Sequence, residues 1–526
     1  MSGTAAVPAF GRLTGWKNEA AVVGLGLASV LAVVWLLLPP TGSDLSAQVA
    51  HADFAGAHPW NPVDLQWFGG TSLLGYSVIV PPLMAALGVR VVGATATVLA
   101  AGLLGLLMSR FRVPRPIAGA VAGALCLGAN LLVGRLTFAV GVAAALLTLT
   151  ALTTTHRVRW VLLVVGPIVT WAASPLAVLF LGLVGATLLL RRHLLDGLLL
   201  CGGAVVGLGA SAWVGQGGYM PLPGWDVVLG VAVCGLVAMS TRYQLVRVGA
   251  LLAAVGIVLA MTVHTQVGFN ALRLPALFAA PILVATSRLR AYLLVPLVAL
   301  TVLLVPPLKS GDVTAIGDPT NDRAYFTALT AELDRLPLSG RVEIPPTLHR
   351  WESVYVADDV PLARGWMTQL DAGYHPLFFE ESIDSTSYRH WLRRNGVQYV
   401  AVSDAAPAAA GVAELSLIRS GLPYLRQVWR GEHWVVYAVA HPTATVANAR
   451  LLSQNAVSVS FATQAPGPVL LRVRWSQWLT LTGSGGCLRR HGRWTEVVAT
   501  GAGTYRVGSA VDPGDRHRTC AVSSAG

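Results

Sequence analysis

Apolar and polar positions alternate in long blocks rather than at the spacing of a soluble core. Apolar runs occupy approximately 20–39, 89–108, 116–133, 137–154, 160–172, 175–190, 195–214, 225–240, 247–263, 274–287 and 291–307. Runs near twenty residues long are the length a helix needs to cross a bilayer. The pattern predicts about eleven spans, with the runs on either side of Ser174–Pro175 forming a short hairpin, because the residue before a proline disfavours helix. The first run is too long for the core of a signal peptide, and no A-x-A-like site precedes the loop that follows it.

After Pro307 the blocks end. VEIPP, SVYVA, QYVAVS and WVVYAVA predict short strands, and AYFTALTAELDRL and SYRHWLRRN predict helices between them, giving a small α/β unit over 308–443. AVSVSFAT, PVLLRVRWSQWLTLTG, TEVVAT and TYRVGS predict strands separated by Gly/Pro turns, so a β-sandwich is expected over 444–526. The fold class is thus a polytopic α-helical membrane protein, 1–307, carrying a C-terminal α/β plus β-sandwich region. The first ten or so residues are expected to be disordered.

Composition agrees with this division. Of 526 residues 54% are hydrophobic and 12% charged, and the mean hydropathy is +0.62. The net charge of +12 does not point to nucleic acid, because the arginines sit in short junctions and no basic stripe with interleaved aromatics occurs. Arg12 and Lys17 precede the first run. Arg110, Arg112 and Arg115, then Arg157 and Arg159, Arg191 and Arg192, Arg242 and Arg247, and Arg288 and Arg290 follow every second run. Positive junctions stay on the cytoplasmic side. The chain is therefore expected in the cytoplasmic membrane, with its N-terminus inside and the C-terminal region outside. Arg90, Arg135 and Arg273 fall on the outer side and become candidates for holding an anion. Cys126, Cys201 and Cys234 lie in apolar runs, whereas Cys487 and Cys520 flank the polar end and suggest one disulfide in an oxidising compartment.

The first outer loop, about 40–88, is too long for a passive connector. It opens with TGSDLSAQVAHADFAGAHPW, residues 41–60, which holds Asp44, His51, Asp53 and His58. Read as a helix, Asp44, Gln48 and His51 share a face, with an apolar stripe lying in the interface and the polar stripe facing out. Asp53 falls on the opposite face. Ser43 or Asp44 is also of the residue type preferred at a helix N-cap. Further on, Trp60, Trp67, Phe68 and Tyr76 can stack on sugar faces or serve as interfacial anchors, and Pro81–Pro82 prevent one long helix.

In HTQVGFNALRLP, which begins at His264, His264, Asn270 and Arg273 gather beside the membrane. Arg135 lies in NLLVGRLTFAVG. Arginine pairs bidentately with phosphate, although a helix-end arginine can equally snorkel to the surface. LHRWESVYVADDVPLARGWMTQLDAGYH, residues 348–375, concentrates His349, Trp351, Glu352, Arg364, Trp366, Gln369 and Asp371, the mix a carbohydrate site uses and also that of an ordinary surface. The sequence has no Walker A motif, no G-x-G-x-x-G at a strand–helix junction, no H-E-x-x-H and no C-x-x-C. No cofactor is certain; a divalent cation, Mg or Mn, can be held through Asp44 or Asp53.

An inner N-terminus, an outer loop with an acid just beyond the first span, about eleven spans and an outer C-terminal region together resemble the GT-C superfamily. Its members are integral-membrane glycosyltransferases that use polyprenyl-phosphate sugars. GSDLSAQVAHADF, GRLTFAVG, VGFNALRLP and RWESVYVADDVPLARGWMTQLD resemble an actinobacterial membrane-protein group. The architectural resemblance covers most of the chain. It implies that Asp44 takes the place of the catalytic acid, with Asp53 as fallback. It further implies that Arg273 or Arg135 holds the donor phosphate, and that a lipid-linked or cell-wall glycan is the acceptor. The Asp-Asp or Asp-Glu pair of several GT-C families is absent from this loop. Two other functions are alternatives: a carrier or flippase of lipid-linked sugar, which predicts ionisable residues near the bilayer midplane and internal repeats, of which the runs show almost none, and an inactive GT-C-like scaffold that binds glycan.

Overall fold

The computed structural model describes residues 18–287, 289–304, 311–379, 383–511, 519 and 520. The terminal segment expected to be disordered, Arg12, Lys17 and Arg288 lie outside the described residues. Among the described residues six helices are long and apolar enough to cross a membrane: Glu19–Leu37, Val89–Arg110, Leu136–Thr153, Leu194–Val214, Gln244–Thr262 and Gly268–Thr286. Pro116–Leu132, Val158–Ala173, Pro175–Leu190 and Gly224–Ser240 are apolar but shorter. Two of these begin at a proline, Pro116 and Pro175, which favours the first helical position and cuts the apolar run there. The eleven expected spans thus become six helices of spanning length, four shorter ones and Ala291–Val302.

In chain order the bundle helices are α1 (Glu19–Leu37), α4 (Val89–Arg110), α5 (Pro116–Leu132), α6 (Leu136–Leu149), α7 (Val158–Ala173), α8 (Pro175–Leu190), α9 (Leu194–Val214), α10 (Gly224–Ser240), α11 (Gln244–Thr262), α12 (Arg273–Thr286) and α13 (Ala291–Val302). Two further helices, α2 (Leu45–Ala57) and α3 (Val80–Leu87), belong to the first outer loop. The hairpin expected at Ser174–Pro175 is present, and Ser174 Oγ caps α8 by accepting from the Ala177 N–H.

The basic junctions meet at one end of the bundle. Arg115 donates to the Leu289 carbonyl (3.2 Å), Tyr243 to that of Arg112 (3.4 Å), Arg110 to Thr153 Oγ1 (3.0 Å), and Arg159 pairs with Asp196. The C-terminal region covers the other end. One four-stranded sheet has the order β3–β4–β6–β5 (Arg341–Glu343, Val397–Ser403, Trp434–Val439, Leu425–Arg430), with β3 and β4 parallel and the other pairs antiparallel. A β-sandwich follows. Its sheets are β10–β13–β8–β7 (Leu479–Gly483, Gly503–Ser509, Val459–Thr463, Arg450–Gln454) and β11–β12–β9 (Gly486–His491, Trp494–Ala499, Gly467–Arg474), all antiparallel. Cys487 and Cys520 form a disulfide that holds residue 520 beside β11.

SVYVA is not a strand. Glu352–Tyr355 is a short helical turn, and the rings of Trp351 and Tyr355 stack 5.1 Å apart at helical spacing. Packing against α2 overrides the β propensity of Val and Tyr here.

The first outer loop is a wedge between the domains. Its strand β1 (Val63–Asp64) pairs with β2 (Thr71–Ser72). Val63 and Leu65 are buried in the core of the sandwich, and Leu65 N–H donates to the Ala456 carbonyl (2.8 Å). Burial of a side chain of this size contributes about 1.5–3 kcal/mol. Trp67 and Phe68 instead enter the core of the α/β unit, where the Trp67 indole donates to the Ser353 carbonyl (3.0 Å).

Candidate functional site

Asp44 occupies the N-cap position of α2, yet its side chain caps nothing. Its carboxylate turns instead to two arginines: Oδ2 lies 3.2 Å from Arg135 Nε and 3.6 Å from Arg273 Nη2. Arg135 precedes α6, and Arg273 opens α12, so the three charges come from separate segments. Two glycines let the segments meet. Gly42 (φ +116°) and Gly134 (φ +82°) hold conformations that L side chains rarely adopt. A Cβ on Gly42 would lie 2.6 Å from the Leu132 carbonyl oxygen, and one on Gly134 would lie 2.6 Å from Leu45 N. The turn before α2 therefore interlocks, backbone to backbone, with the turn before Arg135, and the Asp44 N–H donates to the Val133 carbonyl (2.9 Å). Arg273 sits over the Phe138 ring (5.3 Å), and its buried Nε has no hydrogen-bond partner.

These groups form part of the wall of a cavity of about 970 Å³ between the bundle and the C-terminal region. Its bundle side includes Tyr76, Ser174, Gln216, His264, Asn270 and the two arginines; the opposite side includes Arg350, Trp366 and Gln369. An apolar recess of about 510 Å³ between α8, α9 and α11 shares Leu179, Leu208, Thr265 and Val267 with it, so the polar cavity continues into an apolar groove among the helices.

The structure thus brings together Asp44, Tyr76, Arg135, His264, Asn270, Arg273 and Trp366, and separates the other candidates from them. Gln48 is buried behind the wall. Its Oε1 accepts from Thr137 N–H (3.2 Å) and from the Thr137 hydroxyl, and its Nε2 donates to Tyr76 Oη (2.6 Å). It orients Tyr76, whose hydroxyl pKa is raised by burial, with the Gln48 hydrogen bond acting in the opposite direction. His51 packs against Trp67 and Tyr76 (ring centroids 5.4 and 4.8 Å), and neither ring nitrogen has a partner. Burial lowers its pKa to about 4, so it is a neutral core residue. The polar stripe of α2 therefore faces inward, onto Thr137, Tyr76 and Trp67, while Ser46 on the other side of the helix donates to the His349 carbonyl of the C-terminal region.

Trp67 is fully buried in the wedge and offers no face to a ligand. His349 Nδ1 meets Asn321 Oδ1 (3.0 Å), Trp351 is buried against Tyr355, and Glu352 accepts from Thr347 Oγ1 (2.5 Å), with burial raising its pKa to about 7. Arg364 is bound to Asp371 (2.7 Å) and Glu414 (3.0 Å). Desolvation opposes its charge, but these carboxylates and Glu343 outweigh that and hold its pKa above the ordinary value. None of these four lines the cavity, because each is consumed by the core of the α/β unit. Asp53 lies on the exposed face of α2, toward Asp358 and Arg323. Arg90 is occupied by the end of α1, donating to the carbonyls of Trp35 and Leu38.

Arg350 was not singled out by the sequence, although it stands between His349 and Trp351. Its φ of +57° is unusual for a side chain of this size. Its guanidinium donates to the carbonyls of Gly365 and Trp366 (3.3 Å each) at the cavity wall. Among the described residues Asp44 is the one carboxylate lining the cavity, where it faces two guanidiniums, and no cluster of three metal-ligating side chains occurs.

No protein-family model matches the sequence, and no curated protein matches it. Among solved structures the chain is similar to the cryo-EM structure of arabinofuranosyltransferase AftD from Mycobacteria. The identity is 12% and the TM-score 0.46, over 94% of this chain and 57% of that one. Two classes of a point mutant of AftD match at 13% and 12% identity, again with a TM-score of 0.46 and 94% of this chain, covering 60% and 61% of theirs. The chain thus spans about three fifths of the length of these solved chains.

Proposed function

We propose that this protein is a membrane glycosyltransferase. It moves a sugar from a polyprenyl-phosphate donor to a cell-envelope glycan or glycolipid acceptor at the outer face of the cytoplasmic membrane. The observation that carries this reading is the convergence of Asp44, Arg135 and Arg273 in a cavity that continues into an apolar groove. A polyprenyl-phosphate sugar has the same division: an isoprenoid tail, one phosphate and one polar ring. The tail takes the groove, the guanidiniums take the phosphate, and the sugar faces Asp44. Gathering of the basic junctions at the far end supports placing the cavity on the outer side.

The reaction is a displacement at the anomeric carbon. An acceptor hydroxyl attacks that carbon and Asp44 takes its proton, a role that needs hydrogen-bond reach. The bond from the anomeric carbon to the phosphate oxygen breaks, and polyprenyl phosphate leaves with the electron pair, its charge met by Arg135 and Arg273. Without donor, Asp44 occupies both guanidiniums. Donor phosphate competes for them and releases the carboxylate toward the acceptor.

The test uses membranes carrying wild type or Asp44→Ala, supplied with radiolabelled polyprenyl-phosphate sugars and lipid-linked glycan acceptors. The reading predicts transfer by wild type and a loss of about a hundredfold or more in the variant, the scale of general-base catalysis. Equal transfer by both removes Asp44 from the mechanism. No transfer with any donor favours the carrier or scaffold reading.

A further inference from the structure

The peptide before Asp44 is gripped by the C-terminal region from two directions. Ser43 N–H donates to Asp312 Oδ1 (2.6 Å), and the Ser43 carbonyl accepts from the Trp366 indole (2.8 Å). With the Asp44 N–H on the Val133 carbonyl (2.9 Å), three consecutive backbone groups at this turn are fixed. Asp312 is itself fully buried. Its Oδ1 lies 3.7 Å from His349 Nε2. Asn321 Nδ2 donates to the Pro40 carbonyl (3.2 Å), which leaves Asn321 Oδ1 to face His349 Nδ1. An acid so deep in the fold, aimed at a backbone N–H just before a helix, is a costly arrangement unless it holds something in place.

We propose that Asp312 and Trp366 are positioning residues that clamp the Ser43 peptide and so fix the Asp44 carboxylate between Arg135 and Arg273. This rests on the role given to Asp44 above. On this account the C-terminal region completes the membrane site. Displacement of a reacting group by about 1 Å can cost a hundredfold in rate, and Asp44 has no side-chain cap to hold it otherwise.

The experiment uses the full-length protein in membranes and compares Asp312→Ala, Asp312→Asn and Trp366→Phe. The phenylalanine keeps the ring and removes the N–H; the asparagine keeps an acceptor oxygen and removes the charge. Asp312→Ala and Trp366→Phe are expected to lower kcat roughly ten- to hundredfold, with KM for donor and acceptor within about twofold. Asp312→Asn is expected to restore much of kcat. Hydrogen exchange over residues 41–57 should rise in the two damaging variants, a readout independent of Asp44→Ala. The proposal is overturned by wild-type kcat and exchange in Trp366→Phe. It is equally overturned by a rise in KM alone, which would make Trp366 a substrate contact. If Asp312→Ala does not fold, Trp366→Phe decides.

Discussion

At the scale of single residues, burial separates chemistry from packing. Asp44 and His51 lie seven positions apart on one helix, and both are ionisable. Asp44 keeps its carboxylate on the cavity wall, whereas His51 buries both ring nitrogens without partners. Its folded pKa of about 4 lies below the ordinary 6.5. Between these values the unfolded chain binds more protons than the folded one, so this contribution to stability is lost as pH falls through the window. His51→Phe removes the term and keeps an aromatic ring against Trp67 and Tyr76. Thermal unfolding of the detergent-solubilised variant should therefore show a shallower fall in Tm between pH 6.5 and 4 than wild type does. His375, also pushed down to about 4 by burial, keeps part of the slope. An unchanged slope would mean that His51 is not buried neutral. In the sequence the two residues look alike; the rings packed against His51, those of Trp67 and Tyr76, come from further along the same outer loop.

At the scale of elements, the turns decide the site. The start of α2 can sit against Arg135 only because Gly134 has no side chain. Gly134→Ala should force Leu45 away from the turn and break the Asp44–Arg135 contact. Transfer should fall at least tenfold in protein that still assembles in the membrane, as judged by an unchanged gel-filtration profile. Wild-type transfer would show that the site does not depend on this interlock. Helical periodicity did reveal that Asp44, Gln48 and His51 share a face and that Asp53 does not. It could not reveal that the face is turned inward. SVYVA misled for a related reason: alternating Val and Tyr satisfy a strand locally, but stacking of Tyr355 on Trp351 and cover over α2 select a helical turn. Trp67 reads as a sugar platform because its neighbours are Gly and aromatic, yet it is a core residue of a domain that begins far downstream.

At the scale of the whole molecule, one loop joins all the parts. Residues 41–57 lie over the bundle and the α/β unit, 63–65 enter the sandwich core, and 67–68 enter the α/β core. The alternation of apolar runs and arginines was legible from the start, since it depends on local composition alone, as was the change of character after Pro307. The meeting of Asp44 with Arg135 and Arg273 was legible only as three separate candidates, because contacts across 91 residues and more are set by tertiary packing. The most direct measurement is a structure of the protein with a non-transferable phosphonate analogue of a polyprenyl-phosphate sugar. The phosphonate oxygens are expected on Arg135 and Arg273, the tail along the groove of Leu179 and Leu208, and the Asp44 carboxylate released toward the acceptor side. An analogue bound elsewhere, with Asp44 still paired to both arginines, would contradict this assignment.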